Sequence, residues 1–340
     1  MYKPDYPFDG EPNAGETIEV VPSVHWLRMP LPFKLDHINL WLLDDDDGWT
    51  IVDTGIATDE VKENWKRIDN RYFQNKPAKR VIVTHFHPDH VGLAGWLSER
   101  FGVPMWMPLT EWALGRMLSL DTAETIGDNY HKFYRAAGFD DSMTEMIKAR
   151  VGRYSELISP IPNTFTRVAD DDEINIGGRR WRVIVGTGHA PEHACLYCQE
   201  LGVLISGDQI LPRISPNISV SPHEPDADPL RQFLSSLEKF RPLPHDTLVL
   251  PSHDWPFHGL QGRVDDLVQH HLERLEETFA CCHQPATGVD VLRRLFDREL
   301  DNHQVFFAIG ESLAHLHYLV GEDRVTRYTD EDHVHRFHAV

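Results

Sequence analysis

Length, charge and cysteine content limit what this protein can be. Its 340 residues can bury a large core and are expected to form more than one domain. The 33 Lys and Arg residues stand against 53 Asp and Glu residues, a formal net charge of −20, which disfavours binding to nucleic acid and other long polyanions. The N-terminal segment lacks the apolar core of a signal peptide and no run approaches the roughly 18 apolar residues of a membrane span, so we expect a cytoplasmic protein with no membrane segment. Four cysteines are too few for a disulfide scaffold.

The first strong functional signal is a group of metal-binding side chains that follows a predicted strand. The apolar run Val81–Val83 leads into Thr-His-Phe-His-Pro-Asp-His, residues 84–90. Imidazole and carboxylate groups are ligands that zinc, manganese and iron accept. Because residues i and i+2 of an extended loop point the same way, His85 and His87 can share one ion.

Two further ligands of the same motif come after a proline. Asp89 and His90 lie where a predicted helix over 91–100 begins, so they are better aimed at a second ion. A run of surface histidines is the alternative interpretation, but four ligands at this spacing after a strand disfavour it. The motif therefore predicts two metals.

A helical insertion is predicted over residues 109–161. Ser142-Met143-Thr144-Glu145 has the pattern of a capping box. The residues at helical spacing are Met143, Met146, Ile147, Arg150, Val151, Tyr154 and Leu157. We interpret them as a packing face, with a lid facing substrate as the alternative. The most basic stretch of the chain comprises Lys132, Arg135, Lys148, Arg150 and Arg153. It is interpreted as a solvated helix face, or else as a site for a phosphate-bearing acyl carrier such as coenzyme A.

Three later apolar runs each end in a bend and a candidate ligand. Trp181–Val185 leads to His189, Val203–Ser206 leads to Asp208, and Thr247–Leu250 leads to His253. Functional groups gather on loops at strand ends because the rigid sheet holds their backbones in place, so we expect these ligands to converge with the first motif. His193, four residues after His189, either supports a ligand or contacts substrate, or it is simply packed.

The chain becomes helical from residue 262 onward. Helices are predicted over 263–283, 288–298 and 305–320, followed by two short strands, 324–328 and 333–338, that can pair as a hairpin. This tail has 8 Lys and Arg against 15 Asp and Glu, which disfavours nucleic-acid binding. A packing role or the formation of a homodimer is favoured instead.

The ordered ligand set resembles the metallo-β-lactamase superfamily. The superfamily motif His-x-His-x-Asp-His, with downstream His, Asp and His, matches His85, His87, Asp89, His90, His189, Asp208 and His253. The resemblance implies that His85, His87 and His189 hold the first metal and that Asp89, His90 and His253 hold the second. It also implies that Asp208 bridges the two ions.

The same resemblance implies the fold and two supporting residues. The expected architecture is α+β, a four-layer αββα sandwich over residues 1–261 with the insertion at about 109–161 and a winged-helix-like domain over 262–340. Asp53 matches an early Asp that supports the metal loop. His37 lies in a region that forms a substrate-side loop in the family, so it is expected to contact substrate or to be structural.

Departures from particular branches of the superfamily narrow the expected chemistry. Zinc β-lactamases with a His-Cys-Asp site carry Cys at the position of Asp208, so antibiotic hydrolysis is not favoured. The pattern looks most like the glyoxalase II and acyl-thioesterase side. The expected cofactor is two divalent ions, zinc with manganese or iron as alternatives.

The resemblance then implies an enzyme, a dinuclear metal-dependent hydrolase. A hydroxide shared by the two ions would attack a thioester or a similarly activated acyl ester, while Asp89 orients the hydroxide and passes its proton to the leaving group. The substrate would be a small acyl compound, for example a coenzyme A thioester. The alternatives are a lactonase, then an endoribonuclease, or a non-catalytic binder whose metal site senses a ligand.

Overall fold

The computed structural model describes residues 3–148 and 151–340, apart from the side chains at 302 and 303. The described chain divides into two compact units. The first contains the residues up to 120 together with 154–216 and 239–263. The second contains residues 121–153, 217–238 and 264–340, so each unit is built from separate stretches of sequence.

The first unit contains a seven-stranded sheet whose strands follow the order of the sequence. Its strands are β1 (Ile18–Val21), β2 (Val24–Pro30), β3 (His37–Asp45), β4 (Gly48–Val52), β5 (Ala78–Ile82), β6 (Met105–Pro108) and β7 (Thr166–Val168). Neighbours are antiparallel from β1 to β4 and parallel from β4 to β7. Because parallel strands end at the same edge, Asp53 after β4 and the metal motif after β5 come together.

A second sheet of five strands has the order β12-β11-β10-β9-β8. Its strands are β8 (Glu173–Ile176), β9 (Arg179–Gly186), β10 (His193–Cys198), β11 (Val203–Gly207) and β12 (Leu248–Pro251). The strands predicted before His189, Asp208 and His253 are confirmed as β9, β11 and β12. β11 and β12 are parallel, so their two ligands follow from adjacent strand ends.

Two apolar cores hold the layers of the first unit together. Between the sheets, Trp26 and Trp41 of the first pack with Trp181 of the second. On the other face of the first sheet, Trp65 of α1 (Asp59–Ile68) and Leu97 of α3 (Ala94–Phe101) are buried in a second core. Each fully buried side chain of this kind contributes about 1.5–3 kcal/mol. These cores join one helical layer and two sheets of the predicted α+β sandwich.

The helix expected at 91–100 is divided into two and begins earlier. A short helix, α2 (Pro88–Val91), starts at the proline, whose fixed φ suits the first helical position, and α3 follows after Leu93. Between them, a Cβ on Gly92 would lie 2.5 Å from the carbonyl oxygen of Gly55, so only glycine fits this close approach. Asp89 and His90 are therefore held on a helix rather than before one.

The remaining helices include the insertion and the tail. They are α4 (Leu109–Leu120) in the first unit and α5 (Ala123–Ala136), α6 (Asp141–Lys148), α7 (Pro229–Leu237), α9 (Gly288–Leu295) and α10 (Asn302–Gly321) in the second, with α8 (Leu260–Cys281) divided between the units. β13 (Val325–Thr329) and β14 (His335–Ala339) form an antiparallel hairpin. The three tail helices and the hairpin are thus confirmed. Within the described part of the chain, no helix has the length and apolar character needed to span a membrane.

The insertion differs from its prediction in two details. The capping box at Ser142 is wrong, because the side chain of Asp140 accepts the N–H of Met143 at 2.9 Å and caps α6 instead. The apolar stripe does not lie on one helix, because α6 ends at Lys148 and Tyr154 belongs to a separate turn. Arg150, which was part of both the stripe and the basic stretch, lies outside the described residues.

Candidate metal centre

The seven predicted ligands meet at strand ends in the first unit. They form two groups, and the ligand atoms within each group lie within 4.8 Å of one another. The first group is His85, His87, His189 and Asp208, and the second is Asp89, His90 and His253. Each loop that carries them follows β5, β9, β11 or β12, so the sheets bring together residues that are far apart in sequence.

The first group is built around three imidazole rings. Nε2 of His85 lies 3.3 Å from Nε2 of His189, and the ring centre of His87 lies 4.5 Å and 4.7 Å from those of His85 and His189. Burial, with the neighbouring histidines, holds the pKa of His85 well below its usual value and lowers that of His87 to about 3. Both rings are therefore neutral at pH 7, which is the form that binds metals.

The second group has two histidines that are oriented through their Nδ1 atoms. Nδ1 of His90 bonds to the carboxylate of Asp53 at 2.8 Å, and Nδ1 of His253 bonds to the carbonyl oxygen of His37 at 2.8 Å. Their Nε2 atoms lie 3.7 Å and 3.5 Å from Oδ2 of Asp89. A bond at Nδ1 that leaves Nε2 facing the site is the usual arrangement of metal-binding histidines.

Asp208 lies between the two groups. Its Oδ2 is 3.3 Å from Nε2 of His189 in the first group. Its Oδ1 is 3.4 Å from Nε2 of both His90 and His253 in the second group. One carboxylate oxygen therefore faces each group, which is the arrangement that a bridging ligand requires.

The donor atoms fit divalent metal ions. Among the described residues, the buried Nε2 of His90 and Oδ1 of Asp208 have no hydrogen-bond partner, an arrangement that is costly unless another group satisfies them. Burial alone would lower the pKa of His90, but the carboxylates of Asp208, Asp53 and Asp89 raise it well above its usual value. The site thus favours positive charge, and its nitrogen and oxygen donors suit a divalent cation.

Asp89 differs from Asp208 in its access to solvent. The side chain of Asp89 is 19% exposed, compared with 10% for Asp208 and none for His90. Of the two carboxylates, that of Asp89 is therefore the more accessible to solvent.

Asp53 supports the metal loop and belongs to neither group. Its carboxylate accepts the backbone N–H of Thr84 at 2.8 Å, the hydroxyl of Thr84 at 2.9 Å and Nδ1–H of His90 at 2.8 Å. Its own backbone has φ of +60°, a region that Asp tolerates better than most residues. These hydrogen bonds connect the end of β4 with the metal motif.

His193 acts on Asp208 through the backbone. Its side chain is fully buried, and its Nε2 accepts the N–H of Asp208 at 3.0 Å. Gly207 has φ of +53°, and a Cβ there would lie 2.3 Å from the His193 ring. Of the two functional roles considered for His193, the structure favours support of a ligand, because the buried ring is not open to substrate.

Both ring nitrogens of His37 and its backbone carbonyl oxygen form hydrogen bonds. Its Nδ1 lies 2.7 Å from the carboxylate of Asp36, its Nε2 accepts the N–H of Asp254 at 2.9 Å, and its carbonyl oxygen holds His253. Asn39, two residues on, donates to the carbonyl oxygens of Pro251 and Asp254 at 2.9 Å and 2.7 Å. This part of β3 therefore orients the His253 loop.

Glu111, in the first turn of α4, is a supporting residue that the sequence analysis does not identify. Its side chain is fully buried, its Oε2 accepts the N–H of Phe86 at 3.0 Å, and its Oε1 accepts the N–H of Glu192 at 2.6 Å. Phe86 lies between two ligands, and Glu192 follows His189 by three residues, so one carboxylate ties two metal loops together. The hydroxyl of Tyr154 also donates to the carbonyl oxygen of Phe86. No local signal distinguishes Glu111, because acidic residues are common in first helical turns.

Comparison with known proteins identifies the family. Residues 34–253 match the family described as the metallo-beta-lactamase superfamily, and residues 275–340 match a metallo-beta-lactamase-like C-terminal domain. The crystal structure of a beta-lactamase domain protein from Burkholderia ambifaria is 43% identical, with a TM-score of 0.92 over 99% of this chain and 98% of that one.

Two named relatives are also similar in sequence. The probable metallo-hydrolase YqjP of Bacillus subtilis is 23% identical over 91% of this chain and 96% of its own length. A hydroxyacylglutathione hydrolase of Chromohalobacter salexigens is 31% identical over 68% of each chain. With its two sheets and its clustered His and Asp ligands, the chain belongs to the metallo-β-lactamase superfamily and is a metallo-hydrolase of that fold.

Proposed function

We propose that this protein is a dinuclear metal-dependent hydrolase of thioesters or similarly activated acyl esters, with zinc as its metal. The observation that carries the proposal is the position of Asp208, whose two oxygens face two separate ligand groups. Neither group contains a cysteine. The similarity to a hydroxyacylglutathione hydrolase, an enzyme named for an acyl group carried by a thiol, supports the choice of a thioester.

The candidate ligands form two sets, one for each metal ion. His85, His87 and His189 would hold one ion and Asp89, His90 and His253 the other, with Asp208 between them. When bound, a divalent ion polarises a substrate carbonyl and lowers the pKa of a coordinated water to about 7.

Other residues of this protein hold the ligands in place, and Asp89 transfers a proton. Asp53, His37 and His193 keep His90, His253 and Asp208 in place. The carboxylate of Asp89 is the accessible base that accepts a proton from the attacking water and returns it to the leaving group. A thiolate, whose thiol pKa is about 8.5, needs little help from such a proton, so thioesters are easier targets than amides.

A substrate panel tests the proposal. We would assay lactoylglutathione, acetyl- and octanoyl-coenzyme A, an acyl homoserine lactone, a β-lactam and a short RNA, each with metal-loaded, chelated and zinc- or manganese-restored protein. We expect thiol release from at least one thioester, lost on chelation and on Asp208→Asn and retained in His245→Ala. His245 is an exposed histidine outside both groups and serves as the matched control.

Other outcomes of the same substrate panel would contradict the proposal and indicate a different function. Turnover of the lactone alone would make the protein a lactonase, and cleavage of RNA alone would make it an endoribonuclease, which the acidic tail argues against. Bound metal without turnover of any substrate would indicate a ligand binder. Metal analysis of the purified protein decides between zinc, manganese and iron.

The organisation of the chain around this site is also a proposal. We place the catalytic domain at residues 1–261 and a winged-helix-like domain at 262–340, with the latter serving in packing or in a homodimer. Sedimentation of the full-length protein would measure the oligomeric state.

A further inference from the structure

The second unit contains a cavity of its own, built from three distant segments of the sequence. Its volume is about 460 Å³, within the range of roughly 300–1,000 Å³ that is usual for small-molecule sites. The walls come from α5 in the insertion, from α10 and the β13–β14 hairpin in the tail, and from the loop at 222–226. This cavity shares no residue with the metal centre.

Two cationic side chains line the cavity. Lys132 of α5 and Arg327 of β13 both line it, although the whole chain has a net charge of −20. Asp226 is the one carboxylate among the described lining residues, and it is paired with Arg327 at 2.8 Å. Lys132 has no hydrogen-bond or ion-pair partner within the described chain. Its ammonium group is therefore available to an anion.

Two histidines, His317 and His335, add polar groups to the lining without adding charge. Nδ1 of His317 bonds to the carbonyl oxygen of Ala227 at 2.8 Å, and Nδ1 of His335 lies 3.1 Å from the hydroxyl of Thr329. Burial, with the nearby Arg327, lowers the pKa of both rings, so they are neutral at pH 7. The charge that selects a ligand thus comes from the lysine and the arginine.

Most of the remaining lining is apolar, although Asn129 of α5 adds one amide. Phe133 and Ala136 of α5, Leu313 of α10, and Pro222 and Pro225 of the connecting loop line it. A simple inorganic anion would leave this surface uncovered, whereas an amphiphilic anion would use both parts of the wall. The apolar chain of such a ligand would cover the Phe and Leu side chains, and the anionic head group of the ligand would contact Lys132 and Arg327.

We propose that this cavity binds a small organic anion that carries a short apolar chain, such as an acyl carboxylate or an alkyl phosphate. The two ligands share the chemistry that the walls recognise, an anionic head on an apolar body. The proposal does not depend on the reaction at the metal centre.

Calorimetric titration of the full-length protein tests this site. The probes are octanoate and octyl phosphate, with octanol and inorganic phosphate as probes that lack the head group or the chain. Titrations are run before and after chelation, so that anion binding to metals can be subtracted. We expect one molecule of octanoate or octyl phosphate to bind the chelated protein, and both incomplete probes to bind more weakly. The probe that binds more tightly, octanoate or octyl phosphate, identifies the head group that the cavity prefers.

Three variants assign the binding to the cavity. Lys132 is exposed, so Lys132→Ala should weaken binding by about two- to fivefold, as loss of one exposed charge implies. Asp226→Asn should tighten it, because it removes the carboxylate that competes for Arg327, and an effect in this direction is not expected from structural damage. Lys148→Ala is the matched control, since this lysine lies in the same unit, pairs with Asp128 at 3.2 Å and does not line the cavity.

Two results would overturn the inference. One is the absence of binding by both amphiphilic probes. The other is an affinity that is unchanged in both Lys132→Ala and Asp226→Asn. Melting curves establish that each variant is folded, and the Asp226 variant keeps the test decisive if the Lys132 variant is unstable.

Discussion

Oδ2 of Asp53 accepts a hydrogen bond from Nδ1 of His90 at 2.8 Å, and both side chains are buried. The bond determines which ring nitrogen of His90 points toward Asp208. It joins the end of β4 to helix α2, so the orientation of one ligand depends on a residue 37 positions earlier. The carboxylate of Asp53, which belongs to neither group, therefore orients His90, one member of the second group.

Asp53→Asn should weaken metal retention by about 10- to 100-fold, the usual effect of losing a carboxylate behind a metal-binding histidine. Asparagine keeps the size and tolerates the φ of +60°, so the change removes the charge and one hydrogen-bond acceptor without straining the backbone. Competition with a chromogenic chelator measures the affinity. Asp46→Asn is the control, because Asp46 is exposed and has the same φ of 60°. Equal metal retention in the two variants would contradict the role of Asp53.

Gly207→Ala should destabilise the protein more than Gly202→Ala. Both glycines have positive φ, +53° and +63°, so both alanines carry a backbone cost of about 1 kcal/mol. Only at Gly207 would the new Cβ overlap the His193 ring, at 2.3 Å, which adds about 1–3 kcal/mol. Urea unfolding measures the difference between the variants. A difference near zero would mean that the ring moves away at no cost.

Glu111→Gln should lower the free energy of unfolding by about 1–3 kcal/mol, because a glutamine oxygen can accept only one of the two backbone N–H groups and its amide then faces the other. Both metal loops should loosen as a result. We would therefore measure the rate of metal release together with the unfolding curve. Glu124→Gln, an exposed acid in the first turn of α5, should change neither. Stability lost without faster metal release would limit Glu111 to a structural role.

Glu311 should make stability depend on pH. Burial raises the pKa of its carboxyl to about 7, although Arg274 opposes the shift. Between the unfolded pKa of 4.5 and this value, the folded state binds more protons, so stability falls as pH rises through that window. Glu311→Gln should therefore match the wild type near pH 4 and exceed it at pH 8 by about 3 kcal/mol.

A carboxyl with the opposite shift provides the control for that pH dependence. Arg324 bonds to Glu276 and lowers its pKa, so this group contributes stability above its unfolded pKa and loses it as pH falls. Glu276→Gln should then reduce the melting temperature at pH 8. A Glu311 variant that behaves in the same direction would show that the buried carboxyl is stabilised as an anion.

The sequence by itself determined the chemistry of the site and the class of fold. Strands before His189, Asp208 and His253 were predictable because apolar runs that end in bends are local patterns, and they became β9, β11 and β12. The candidate ligands could be identified from sequence as well, because the type and the spacing of side chains are local properties of the sequence. The helix at 91–100 was placed too late because Pro88 starts it earlier and Gly92 interrupts it.

Only the tertiary structure decided how these ligands are held. The contacts of Glu111 with Phe86 and Glu192, and of His193 with the backbone of Asp208, join loops that no sequence spacing connects. The cavity at Lys132 and Arg327 likewise combines the insertion with the tail. Local patterns specify which backbone forms a strand and which atoms can bind a metal. Which buried polar groups satisfy one another depends on packing between distant segments, and that is settled only when the chain is folded.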